Sequence, residues 1–220
     1  MKFILTLLLL FSVGRVNSQG VDPDLLKIKN RMDSVQQFSA SMKLEVDISF
    51  INMPTKFAKM SYVKGRPIKF SSDDFVMIPK RGLDFSLSNL FEYPFITVDR
   101  GEEKRKDKLY KAINIIPTDK KADFSIATLF LDLANTRIVE TEISTKKDGT
   151  YLLEMSYENN SKILPSQVAV SFEMDKIKIP FNFMGKDTDI DRKKMRAAGR
   201  KSGKIFLTMS NYQIKMNGDK

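Results

Sequence analysis

Cysteine, histidine and tryptophan are all missing from this 220-residue chain. Without histidine or cysteine, Ser-His-Asp and Cys-His nucleophilic chemistry is excluded. Zinc sites built on imidazole or thiolate are excluded with it. Zero cysteine also means zero disulfides, so stability must come from packing alone. There is no Gly-rich phosphate loop, no low-complexity linker and no internal repeat. A paired-carboxylate hydrolase needs only Asp and Glu. The pairs on offer are Asp73/Asp74, in a turn, and Glu140/Glu142, on the wet face of a strand, where solvated surface is the ordinary reading. Asp187, Asp189 and Asp191 alternate, but the later glycine and glutamate of a calcium loop are not there. The expectation is a protein that is not an enzyme and holds no metal and no cofactor.

Long apolar runs are also scarce: one occurs, at the start. Met1-Lys2 is followed by an almost wholly apolar Phe3 to Val13. Val16 and Ser18 then stand at the −3 and −1 positions before Gln19. This is the layout of a secretory signal peptide over residues 1–18. The run falls short of the roughly 20 residues a bilayer span needs, and no cysteine follows the cleavage site to take a lipid anchor. Taking residues 1–18 and their two cations from the +10 chain leaves 202 residues at about +8, one domain's worth. Two readings of that charge stay open: an anionic partner, or solubility. With an export signal in front, nucleic acid is not an expected partner.

What is present is a change of hydrophobic period. Asp22 can cap a helix with Pro23 at its first position. Leu25, Ile28, Met32 and Val35 recur at spacings of three and four, which predicts a helix over 22–37. From Phe38 the period is two: Phe38, Ala40, Met42, Leu44, Val46, Ile48 and Phe50 alternate with polar residues in one long strand. Asn52 to Thr55 turns into a second strand, about 56–64, broken at Gly65-Arg66-Pro67. Ile68 to Ser71 and Phe75 to Ile78 read as short strands, and Phe85 to Phe91 as a short helix. Arg100 to Lys108 is densely charged and reads as a solvated tip or loop. Strand character returns over 109–116, 125–133, 137–145, 151–157 and 168–174, with Asp148-Gly149 as a hairpin turn. The connections suit an antiparallel meander. After a basic stretch from Arg192 to Lys204, Ile205 to Ile214 is a last strand.

This order of elements resembles the LolA-like outer-membrane lipoprotein carrier, or lipoprotein-sorting, family in its divergent, Bacteroidetes-type branch. The segments that carry the resemblance are KGRPIKFSSDDFVMIPKRGLDFSLSNLF (64–91) and, within 127–165, TLFLDLANTRIVETEIST, the Gly149 turn, LLEMSY and ILP. The likeness covers about residues 22–183. Three features depart from the family: tryptophan is missing from the first meander, no residue is an obvious match for the internal arginine that latches the lid, for which Arg66 and Arg81 are the candidates, and a basic C-terminal extension is not part of the minimal pattern.

The resemblance implies a mainly β fold with a few helices (α+β). It would be an incomplete antiparallel β-barrel wrapped round a hydrophobic cavity, with an N-terminal helix and a helical lid. One domain would span 19–220, with a basic C-terminal extension from about 186. The implied function is a periplasmic carrier that sequesters acyl chains of lipoproteins or lipids for delivery to the outer membrane. The alternative is a lipid-sensing or protein-binding module of the cell envelope on the same fold. The implied cavity lining is Met42, Leu44, Val46, Ile48, Phe50, Met60, Tyr62, Leu153, Met155, Val170 and Phe172, and the implied lid residues are Leu87, Leu90 and Phe91. Methionine is flexible and polarizable, which agrees with such a lining. Arg192, Lys193, Lys194, Arg196, Arg200 and Lys201 are the residues for an anionic contact, with a solvated loop as the other reading. Implied partners are lipoprotein acyl chains or other lipid, an inner-membrane release complex and an outer-membrane acceptor. The chain is expected to be a monomer.

Overall fold

The computed structural model describes residues 20–72, 90–147, 149–174 and 187–218. The expected signal segment, the 75–78 strand, Arg81 and Leu87 lie outside these. The chain opens with α1 (Pro23–Asp33), whose N-cap Asp22 accepts hydrogen bonds from the Asp24 and Leu25 amides. After Ser34 comes β1 (Val35–Asp47), then β2 (Ile51–Asn52), β3 (Lys56–Val63) and β4 (Lys69–Ser71). The next run is β5 (Phe95–Arg105), β6 (Lys108–Pro117), β7 (Phe124–Asp132), β8 (Arg137–Thr145), β9 (Thr150–Ser156) and β10 (Gln167–Met174). Last come β11 (Asp189–Ile190), the short helix α2 (Arg192–Ala197) and β12 (Lys201–Met216). No helix among the described residues is long and apolar enough to cross a membrane.

Ten strands form one antiparallel sheet in the order β4-β3-β1-β12-β10-β9-β8-β7-β6-β5. Among the described residues β4 and β5 do not pair with each other, so the barrel is incomplete. The sheet is nonetheless strongly curled. β3 and β8 are five places apart in the order, roughly 24 Å in a flat sheet, yet Tyr62 and Ile138 line one cavity. Irregular register at Ser39/Ser41, Asp99/Glu102 and Phe130/Leu131 supplies bulges, which bend strands and raise twist.

One face of each strand supplies the interior. Phe38, Ala40, Met42 and Leu44 of β1 pack with Met60, Leu153, Val168, Val170, Leu207 and Met209. At the C-terminal end of β1, Ile48, Phe50 and Ile51 pack with Phe172 and Met174. Leu25 and Ile28 of α1 bury against Ile113, Ile115, Leu129 and Leu131. Each such side chain contributes about 1.5–3 kcal/mol by leaving water. Gly203 is required where it stands: a Cβ there would meet Ile48 Cγ1 at 2.4 Å and Phe172 Cζ at 3.0 Å.

Several expectations change. α1 ends at Asp33 rather than Gln37, because Val35 and Gln37 are taken into the ladder with β12. Arg100 to Arg105 belongs to edge strand β5, and the hairpin tip beyond it folds over the outer face of the sheet. Arg105 Nη2 meets Glu142 at 2.8 Å, its guanidinium lies 3.9 Å from the Phe130 ring centroid, and Lys106 reaches Glu154 at 3.0 Å. Glu140 therefore is not on a wet face: it is 9% exposed beneath Arg105, and burial pushes its carboxyl above the usual range against the pull of that cation. The basic stretch is not an appendage either. From Lys201 it is β12, in the middle of the sheet between β1 and β10.

Candidate functional site

A cavity of about 340 Å³ lies at the end of the interior where β1 begins. Met32 at the end of α1, Val35 and Phe38 of β1 and Tyr62 of β3 form one side with Ile68. Ile138 of β8 and Met155 and Tyr157 at the end of β9 also line the cavity, as does Tyr212 of β12, next to Phe38. Phe91 and the run Ile163-Leu164-Pro165 complete the wall, with Lys29 and Asp33 as its charged members.

Two of the three tyrosines have their hydroxyls tied to backbone. Tyr157 Oη donates to the Ile138 carbonyl and Tyr212 Oη to the Pro165 carbonyl, each at 2.8 Å. Burial pushes the Tyr157 phenol up to about 12 and that of Tyr212 further still. Tyr62 stacks on Phe38 at 5.3 Å between centroids, and Tyr212 meets Phe38 edge-on at 5.9 Å. The charged wall members neutralise each other, since Lys29 Nζ is paired with the Asp33 carboxylate one helical turn on. The Tyr62 phenol is raised by burial first and by the Asp33 charge second.

Two polar clasps hold α1 over this space. At its N-terminus Lys111 Nζ binds Asp22 at 2.9 Å and Asp24 at 2.7 Å, with Asp99 at 3.4 Å. Burial works against the Lys111 charge, but the hydrogen bonds it donates to the Asp24 and Asp22 carboxylates outweigh this and raise the amine's pKa. At the other end Arg31 donates to the carbonyls of Asn135, of Thr136 at 3.0 Å, and of Ser161 at 3.1 Å. Ser161 leads into the Ile163–Pro165 wall, so Arg31 couples the helix to the cavity itself. Arg66, a candidate latch from the sequence, is exposed on a hairpin turn instead.

Of the lining residues inferred from the family, Tyr62 and Met155 are in the cavity wall. Met42, Leu44, Met60, Leu153 and Val170 fill the central cluster. Val46, Ile48, Phe50 and Phe172 belong to the cluster at the far end of β1. Of the lid residues, Phe91 lines the cavity and Leu90 is buried with Leu25 and Ile28. Arg192, Lys193, Lys194 and Arg196 are exposed on α2, Arg200 pairs with Glu173 at 3.0 Å, and Lys201 donates to the Ala198 and Gly199 carbonyls. Ile68, Ile163, Leu164 and Pro165 were not anticipated as lining. They sit in loops where no period marks them, and the only signal was their apolar character amid polar neighbours.

Fold and cavity together define a class: an open, curled antiparallel sheet holding an apolar chamber beneath its first helix. No protein-family model matches the chain, and no curated protein matches it in sequence. Solved structures do. A DUF1329 family protein from Desulfovibrio piger shares the fold at a TM-score of 0.52 and 11% identity, over 90% of this chain and 94% of that one. A LolA superfamily protein from Nitrosomonas europaea is similar over 87% of this chain and 93% of its own, at 9% identity and a TM-score of 0.48. The likeness to the DUF1329 family protein is one of fold, and fold alone does not assign activity.

Proposed function

We propose that this protein is a carrier of hydrocarbon chains: it takes an acyl chain of a lipoprotein or other lipid into the chamber under α1, in the periplasm, for delivery to the outer membrane. A donor complex at the inner membrane and an acceptor at the outer membrane would be its partners. The observation that carries the reading is the chamber. Its wall is aromatic and aliphatic, its two deepest phenol groups are bonded to backbone carbonyls, and its one ion pair is internally neutral. Such a space offers a polar guest few partners and an alkyl chain many contacts.

Size narrows the guest. About 340 Å³ stands at the low end of the roughly 300–1,000 Å³ range of ligand pockets. That suits one chain, or the distal part of one. Eight buried methylenes at about 0.8 kcal/mol each would give on the order of 6 kcal/mol, from which the lost freedom of association is subtracted. The product is binding that can be reversed, as a carrier needs.

Native mass spectrometry after gentle purification tests this, paired with uptake of a fluorescent fatty-acyl probe. Expected is an added mass in the range of a single-chain lipid, displaced by the probe. A bare protein mass together with no probe uptake would refute the carrier.

A further inference from the structure

The outer surface of β3 and β4 has a one-sided charge. No acidic residue occurs between Asp47 and Asp73, while Lys56, Lys59, Lys64, Arg66 and Lys69 all fall there. Lys56 points inward and is neutralised by Asp187. The other four are exposed. Among the described residues no ion pair engages Lys59, Arg66 or Lys69, and the Lys64 ammonium donates one hydrogen bond, to the Asp33 carbonyl at 2.7 Å. Across the ladder Lys59 faces Ser41 and Ser61 faces Ser39, so the neighbouring strand adds no negative charge there. Phe57 at 60% and Val63 at 42% exposure stand on the same outer face.

The position of this surface matters as much as its charge. The β3–β4 turn, Lys64 to Pro67, runs between Tyr62 and Ile68, and both of these line the chamber. We infer that the β3–β4 hairpin is a docking surface for an anionic phospholipid bilayer, which seats the chamber's rim against the headgroups. Cations within a Debye length are drawn to such a surface. Phe57 and Val63 add apolar and aromatic area of the kind that beds at a membrane interface. The inference rests on the chamber as the cargo site, and gives that site its orientation during loading or release.

The basic stretch on α2 cannot serve this purpose. The Asp191 amide bonds the Phe50 carbonyl at 3.0 Å, which seats α2 beyond the C-terminal end of β1. The chamber is at the opposite end, by Val35 and Phe38. Along the strand the two are roughly 30 Å apart.

The test is flotation of the full chain with vesicles, either zwitterionic phosphatidylcholine alone or with roughly one third phosphatidylglycerol, at low ionic strength. One variant carries Lys64→Ser, Arg66→Ser and Lys69→Ser, and a second carries Arg192→Ser, Lys193→Ser and Lys194→Ser. All six sites are exposed, and thermal melts verify that both variants fold. Expected is wild-type binding to the anionic vesicles only, lowered on the order of a hundred-fold in the hairpin variant and largely kept in the α2 variant. Wild-type indifference to anionic lipid, equal losses in both variants, or a larger loss in the α2 variant would overturn the inference. Uptake of the acyl probe without vesicles separates this from the carrier reading. Uptake without vesicle binding sinks the docking surface, and vesicle binding without uptake sinks the chamber.

Discussion

A matched pair of substitutions separates a chamber from a filled core. Leu207 is 0% exposed within the central cluster, while Leu164 stands in the chamber wall. Changing each to tryptophan makes the same chemical alteration in two surroundings. Leu207→Trp forces an indole into packed side chains, which costs about 1–3 kcal/mol. For a domain of this size that is a fall in Tm of about 2–4 °C per kcal/mol. Leu164→Trp sends the indole into about 340 Å³ of free space, so its cost should be under ~1 kcal/mol, the range of well-tolerated swaps. The same indole takes room from the guest. If it displaces about three methylenes at about 0.8 kcal/mol each, acyl affinity drops on the order of fifty-fold. The chain has no native tryptophan, so each variant carries a single indole whose emission reports its surroundings and its transfer to a fluorescent probe. Equal destabilisation of the two variants would show that the wall around Leu164 is already filled. Unchanged uptake by Leu164→Trp would show that the guest sits elsewhere.

Three further outcomes follow from the polar contacts. Arg31→Ala frees the carbonyls of Asn135, Thr136 and Ser161; solvent can rehydrate them, so the loss should be near 2 kcal/mol, with faster release of bound probe in a stopped-flow measurement, and unchanged release would disconnect α1 from the chamber. Because Lys111 has its pKa raised above 10.5 in the fold, its stabilisation is complete below that pH and is lost as pH climbs towards the folded value; Lys111→Met should abolish that alkaline loss in urea titrations at a series of pH values, and an identical alkaline profile would contradict the clasp. The Lys56 side chain is 3% exposed and relies on Asp187, so Asp187→Asn should destabilise more than Lys56→Met, since an unpartnered buried charge is worse than a packed apolar chain; the reverse order in thermal melts would refute this.

Local pattern made some of this legible and long-range packing hid the rest. The Asp22-Pro23 start of α1 and the period-two run of β1 are written in adjacent residues, and so are β8 and the glycine at 149, which has a φ of +93° and no room for a Cβ against the Glu173 backbone. The end of α1 was misplaced because Met32 and Val35 continue a helical spacing, while β-branched Val35 already pairs with Met216. Glu140 looks solvated by alternation, and only the arrival of Arg105 from another hairpin covers it. The charged run at 100–105 is compatible with a strand because β5 is an edge, where exposed charges are tolerated. The chamber was the hardest to see. Its wall comes from α1, five separate strands and several loops, and Arg31 acts on backbone carbonyls, which carry no side-chain signature.

The pairing of β1 with β12 has a consequence for biogenesis. Val35 lies beside Met216 and Leu44 beside Leu207, so the centre of the sheet joins segments almost a full chain length apart. Such non-local closure comes late in folding, after its entropy has been met. A nascent polypeptide lacking Lys201 to Met216 has β1 and β10 each short of a neighbour and no way to shut its middle. Closure of the sheet's centre therefore waits until β12 has left the ribosome.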